Sequence, residues 1–221
     1  STCICKHISP FKTKARFIIL MHPKEYKKEK NGTGHMTKLQ LKNSEIIVGV
    51  DFTNNLRVNE ILTKEKNSFL LYPGKDNFNL SIRESSEINS FMGTNPHIFI
   101  LDGTWPCARK MLKLSKNLQN LKRVSFDNKI KSKFIIKQQP NSLCLSTIES
   151  VYTVLNLLKE GDLEQCETKD FLIPFEKMIE HQLEYLLNPN SKNYSSTAKK
   201  TIITKDMYKK STERNIIFEL E

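Results

Sequence analysis

Residues 99–110 read FILDGTWPCARK. An apolar run stops at Asp102; Gly103, Thr104, the chain's single tryptophan (Trp105) and a proline follow, with Arg109 and Lys110 a turn later. An aspartate there can shape a turn, since Asp-Gly favours one, or can face a ligand, since in open α/β sheets strand ends are where sites sit. Thr104 is itself able to cap a helix in which Pro106 is tolerated in the first turn, which releases Asp102 from that duty. Trp105 serves equally as a core anchor or as a surface on which a nucleobase stacks.

Other stretches carry similar chemistry. His22-Pro23-Lys24-Glu25 follows the apolar run RFIILM, and Glu25 can meet a ligand amine. Tyr72-Pro73-Gly74 follows FLLY at 69–72. The stretch NGTGHMT at 31–37 reads as a glycine-rich loop able to bring backbone N–H groups to an anion, although GxxxxGK[ST] is absent and a P-loop is excluded. In Ser146-Thr147-Ile148-Glu149, Glu149 has the capping-box position relative to Ser146, while the Ser146 and Thr147 hydroxyls at a helix N-terminus can equally bind a carboxylate. The five cysteines include one pair, Cys3-Ile4-Cys5; zinc takes four ligands, usually from two such pairs, so no metal site is assigned.

The elements that must carry these residues follow from hydrophobic pattern. Runs 16–21, 46–50, 69–72 and 97–102 are apolar without alternation, as in central strands of a mostly parallel sheet. Residues 124–126 and 134–137 are weaker candidates. Helical spacing covers 35–43, 57–65, 105–116, 147–159 and 174–187. Alternation of strands and helices gives an α/β domain with helices on both faces. In such sheets ligands bind beyond the carboxyl ends of the strands, where His22, Tyr72 and Asp102 all fall, and the loop at 140–142 leads toward Ser146. The domain is expected over residues 1–189, with a basic, polar tail at 190–221.

Lys and Arg number 35 against 24 Asp and Glu, a formal charge of +11 that attracts polyanions, nucleic acid first. No stretch approaches the roughly 20 apolar residues of a membrane span. An odd cysteine count without scaffold spacing points to a reducing, cytoplasmic setting. The chain begins at Ser1 without a methionine, and a trimmed natural N-terminus is expected.

Taken together, DGTW at 102–105 with WPCARKM running on from Trp105, HPKE at 22–25, GTG at 32–34, YP at 72–73 and STIE at 146–149 resemble the DTW-domain proteins over residues 3 to about 187. That resemblance implies a SPOUT-related α/β fold with a C-terminal trefoil knot. It also implies an S-adenosylmethionine-dependent tRNA-uridine aminocarboxypropyltransferase, which moves the 3-amino-3-carboxypropyl group to N3 of a uridine and releases methylthioadenosine. Asp102 is then the base. Backbone groups of Tyr72, Pro73 and Gly74, of Leu101 to Thr104 and of Leu143 to Leu145 line the adenine and ribose. Ser146 and Thr147 take the donor carboxylate, and Glu149 or Glu25 its ammonium. His22, Thr33 and Trp105 complete the pocket, and Arg109, Lys110, Lys113 and Arg123 hold tRNA phosphates. The sequence departs from the family in two places. A CxxC pair ahead of Cys3 and Cys5 is absent, so zinc is implied only where that pair exists, and Gly32 stands where an asparagine is common. A SPOUT-like methyltransferase and a noncatalytic RNA-binding protein are the rival readings; monomer and homodimer both stay open.

Overall fold

Five consecutive buried apolar residues in Arg16–Met21 (β1) leave no polar face to turn toward water, so this strand needs cover on both sides. The computed structural model, which describes residues 3–28, 32–74, 76–127, 132–134 and 144–187, places it inside a sheet. The other strands are β2 (Glu45–Val48), β3 (Ser68–Leu71), β4 (Asn77–Asn79), β5 (His97–Asp102) and β6 (Lys122–Ser125). Their order is β2-β1-β5-β3-β6-β4 and every pairing is parallel. The carboxyl ends of all six therefore lie along one edge.

Eight helices are described: α1 (Pro23–Lys28), α2 (Thr33–Gln40), α3 (Leu56–Lys64), α4 (Ser85–Met92), α5 (Trp105–Leu114), α6 (Lys116–Gln119), α7 (Thr147–Glu160) and α8 (Ile173–Leu187). The pleat sorts strand side chains between two cores, because successive residues point to opposite faces. Phe17, Phe69, Ile98, Ile100 and Val124 pack with Met36 of α2, Ile88 and Met92 of α4, Val151 and Leu155 of α7 and Phe175 of α8. Ile18, Leu20, Leu70 and Phe99 pack with Val58 and Ile61 of α3, Met111 and Leu112 of α5 and Leu118 of α6. Each such fully buried side chain contributes roughly 1.5–3 kcal/mol by leaving water, so the sheet is held from both faces.

One polar contact ties distant chain segments. Buried Glu164, in the loop after α7, accepts the backbone N–H groups of Lys14 (2.8 Å) and Ala15 (3.1 Å) just ahead of β1.

The sequence reading locates β1 and β5 to the residue and the remaining main strands within two residues. It passes over β4, a three-residue strand, and the short helices α1, α4 and α6. The expected glycine-rich loop at 31–37 is corrected: Thr33 to Thr37 open α2, and Gly34 belongs to its first turn. In the 134–137 strand expectation, Phe134 is not part of a strand and 135–137 lie outside the described residues, as do Leu143, the 140–142 loop and the 190–221 tail. Among the described residues no helix is long and apolar enough to cross a membrane.

Candidate functional site

β1 and β5 run in register to their ends, with Met21 opposite Asp102. Just past β1, the His22 backbone N–H donates to the Asp102 carbonyl at 2.8 Å, which holds the two strand ends together. By the pleat, Asp102 shares a face with Ile98 and Ile100, the face covered by α2 and α7. There the Thr147 hydroxyl donates to Asp102 Oδ1 at 2.5 Å. On the other oxygen lies α2: a Cβ added at Gly34 would overlap Asp102 Oδ2 and come within 2.7 Å of Met21 Cε. Glycine is required here for close approach rather than for its backbone angles.

Thr147 is delivered by the cap of α7. The Ser146 backbone N–H and hydroxyl both donate to Glu149 Oε2, at 2.9 and 2.6 Å. Glu149 is 5% exposed, a burial that a carboxylate tolerates only when paired or well hydrogen-bonded. It also accepts the Ser132 hydroxyl at Oε2 (2.8 Å) and the Lys133 N–H at Oε1 (2.7 Å). Of its two readings, capping box and ammonium ligand, the first is what the geometry displays. The Ser146 hydroxyl is likewise spent on Glu149 and that of Thr147 on Asp102.

At the end of β1, His22 is buried and its Nδ1 accepts the Lys24 N–H at 3.1 Å, so Nε2 carries the proton when the ring is neutral. Glu25 sits half-buried in the first turn of α1. Thr33 is buried and its carbonyl accepts the Thr37 hydroxyl at 2.8 Å.

The opposite face ends differently. Buried Tyr72 and half-buried Trp105 meet edge to face, with centroids 6.2 Å apart, in the core that also holds Leu101. The Arg123 guanidinium lies 5.9 Å from the Tyr72 ring centroid. Burial raises the Tyr72 phenol above its ordinary pKa, against the pull of Arg109 and Arg123. Arg123 also occupies the space a side chain at Gly74 would need, 2.8 Å from a Cβ there. The Gly74 carbonyl accepts the Asn77 side-chain amide, and Pro73 is exposed. Arg109, Lys110 and Lys113 are exposed on α5.

The structure therefore brings together Asp102, Thr147, Ser146 and Glu149 on the α2/α7 side, and Tyr72, Trp105, Leu101 and Arg123 on the α5 side, while Thr33 lies on α2 and His22 joins Asp102 through its backbone, with its Cβ beside the Gly103–Cys107 position. Thr104 stands at the N-cap of α5 without a side-chain cap hydrogen bond, which corrects its expected capping role, and Gly103 packs 3.3 Å (as a built Cβ) from Cys107 and His22. Leu145 is half-buried ahead of Ser146. Sequence reasoning missed the close approach of Gly34 and the Ser132–Lys133 clamp on Glu149. Gly34 signalled itself only as the second glycine of GTG, and nothing local marks Ser132.

The DTW domain family model matches residues 1–183. The chain belongs to the DTW domain family. Curated proteins similar to this DTW domain include the tRNA-uridine aminocarboxypropyltransferase 2 of Macaca fascicularis, 24% identical over 192 residues, covering 83% of this chain and 60% of that protein. The Mus musculus protein of the same name is 23% identical with the same coverage. The Drosophila melanogaster one is 29% identical over 181 residues, covering 79% of this chain and 67% of its own length. The chain thus spans about 60% of the length of the first two relatives. No solved structure matches.

At the start of the DTW domain, Cys3 and Cys5 are exposed, and hydrogen bonds from the Cys5 backbone and thiol hold the Cys3 thiol below its usual range. Among the described residues no group of three His, Cys, Asp or Glu is placed to hold a metal. Cys3 and Cys5 supply two thiols, fewer than the four ligands of the zinc site that the family resemblance implies where a further cysteine pair is present.

Proposed function

We propose that this DTW domain transfers the 3-amino-3-carboxypropyl group of S-adenosylmethionine to N3 of a tRNA uridine. The observation that carries the reading is the Asp102 carboxylate. It stands at the carboxyl end of a central parallel strand, oriented by Thr147 and backed by Gly34, in a family whose relatives bear the name tRNA-uridine aminocarboxypropyltransferase 2. The formal charge of +11 fits a polyanionic substrate.

Uracil N3 carries a proton and is a poor nucleophile at neutral pH. Asp102 takes that proton, help worth roughly 10²- to 10⁴-fold for a positioned base. The N3 electron pair then forms a bond to the γ-carbon of the methionine arm. The bond from that carbon to sulfur breaks, its electrons neutralise the sulfonium, and methylthioadenosine leaves. Choice of the aminocarboxypropyl group over the methyl is set by which carbon lies in line with N3. The donor is assigned to a SPOUT-like C-terminal knot, with backbone groups of 72–74, 101–104 and 143–145 around adenosine. Glu25 is assigned to the donor ammonium, because Glu149 is engaged by four donors. Arg109, Lys110, Lys113 and Arg123 take tRNA phosphates, which position the RNA without reading its sequence.

The test is to incubate the protein with unmodified tRNA and S-adenosylmethionine and weigh the digested nucleosides by mass spectrometry. Uridine heavier by one aminocarboxypropyl group, with an equal amount of methylthioadenosine, is the expected result. A methyl gain instead makes the protein a methyltransferase and overturns the reading, and tRNA binding without any gain assigns it to the RNA-binding modules.

A further inference from the structure

We infer that Thr147 is a positioning residue for the base, holding the Asp102 carboxylate in its ionised, N3-facing orientation, and is not a ligand of the donor's carboxylate. This rests on the proposed reaction for its purpose but not for its geometry. Thr147 is 45 positions from Asp102 in the chain, and its hydroxyl reaches Oδ1 at 2.5 Å. A hydroxyl has one proton to donate, and this one is directed at Asp102. It therefore has no second proton with which to hold another carboxylate.

The arrangement behind Thr147 has the character of a support. Glu149 gathers the Ser146 N–H and hydroxyl, the Ser132 hydroxyl and the Lys133 N–H, and so fixes the first turn of α7 on which Thr147 sits. Gly34 bounds the other side, where any larger side chain would push Oδ2 away. The carboxylate is thereby gripped between α7 and α2, while the strand pairing at Met21 and His22 fixes its backbone. A donor to the charged form of a carboxyl favours that form, so the Thr147 hydroxyl keeps Asp102 deprotonated and ready to accept. The titratable groups on the elements around Asp102 are His22 just past β1, Lys24, Glu25, Tyr26 and Lys27 on α1, His35 and Lys38 on α2, Cys107, Arg109, Lys110 and Lys113 on α5, and Glu149, Tyr152, Lys159 and Glu160 on α7. None of them is altered by substitution at 147.

Two variants, Thr147→Val and Thr147→Ser, compared with wild type, decide the matter with two readouts. The first is a carbon-13 NMR titration of the Asp102 carboxyl in the protein without substrates, assigned by its loss in Asp102→Asn. Thr147→Val is expected to raise the Asp102 midpoint by about one pH unit, the size of one charge-assisted hydrogen bond, and Thr147→Ser to restore it. An unmoved midpoint overturns the inference whatever reaction the protein runs. The second is the pH profile of kcat/KM for aminocarboxypropyl transfer, whose acid limb is expected to move up with the NMR midpoint while KM for S-adenosylmethionine stays within about twofold. A rise in that KM with the acid limb unmoved returns Thr147 to the donor carboxylate. A shifted midpoint in a protein that transfers no aminocarboxypropyl group keeps the positioning role and sinks the reaction instead.

Discussion

On the α2/α7 side of the sheet, the carboxyl edge ends in a carboxylate; short hydrogen bonds within α7 and from the 132–133 segment engage the side chains near it, and the His22 N–H just past β1 holds the Asp102 backbone carbonyl. On the α5 side, the same edge ends in rings and guanidinium groups, Tyr72 against Trp105 with Arg123 above, and exposed cations run along α5. The two sides are separated by the thickness of one strand, yet one is built to fix a single group and the other to offer contact area and charge. Proton transfer demands atoms held to a fraction of an ångström, whereas phosphate contacts tolerate movement and sum over several side chains. In the proposed reaction the sheet would serve both, because the pleat sends alternate residues of β5 in opposite directions.

The largest expected effect is on the first side. Asp102→Asn, nearly isosteric, is expected to lower aminocarboxypropyl transfer by about 10²- to 10⁴-fold in single-turnover assays while tRNA affinity by filter binding is unchanged. If affinity falls and the rate does not, the functional division between the faces is wrong. Gly34→Ala sharpens the same point by geometry, since its Cβ overlaps Asp102 Oδ2. It is expected to cost about 1–3 kcal/mol in denaturant unfolding and to lower transfer with it. Glu149→Gln sets two N–H donors of the amide among the N–H and O–H donors it now accepts. A loss of about 3 kcal/mol is expected by the same measurement, the cost of a buried charged hydrogen-bond network left incomplete. The smallest effects belong to the α5 side. Arg109→Ala and Lys113→Ala are each expected to weaken tRNA binding only several-fold and to lower the slope of log K against log salt by about one. A loss of transfer rate at saturating tRNA in either variant would erase the contrast.

Much of this was legible in the chain. Apolar runs without alternation announce buried parallel strands, which is why β1 and β5 could be placed to the residue and Asp102 put at a strand end. The spacing of Ser146 and Glu149 announces a capping box. Pairing across sequence is another matter. That Thr147 meets Asp102, that Gly34 abuts the same carboxylate and that Trp105 turns to the opposite core all depend on how α2, α5 and α7 lean on the sheet, and no local pattern encodes it. Short elements such as β4 and α1 escaped because a three-residue strand and a six-residue helix hold too few residues to display a period.

The strand order bears on how the chain is made. β1 lies between β2 and β5, and β5 is synthesised only after α3, β3, β4 and α4. The carboxylate that closes over the start of β1 comes from Glu164, 150 positions after Lys14. At roughly 5–20 residues per second, a ribosome leaves the run Phe17–Met21 without its inner neighbour for several seconds. During that interval the most apolar segment of the protein is a sticky ribbon, and contacts of such long sequence separation close slowly. A nascent chain stalled before residue 97 should therefore be a strong client for chaperones, and one released past Glu164 a weak one.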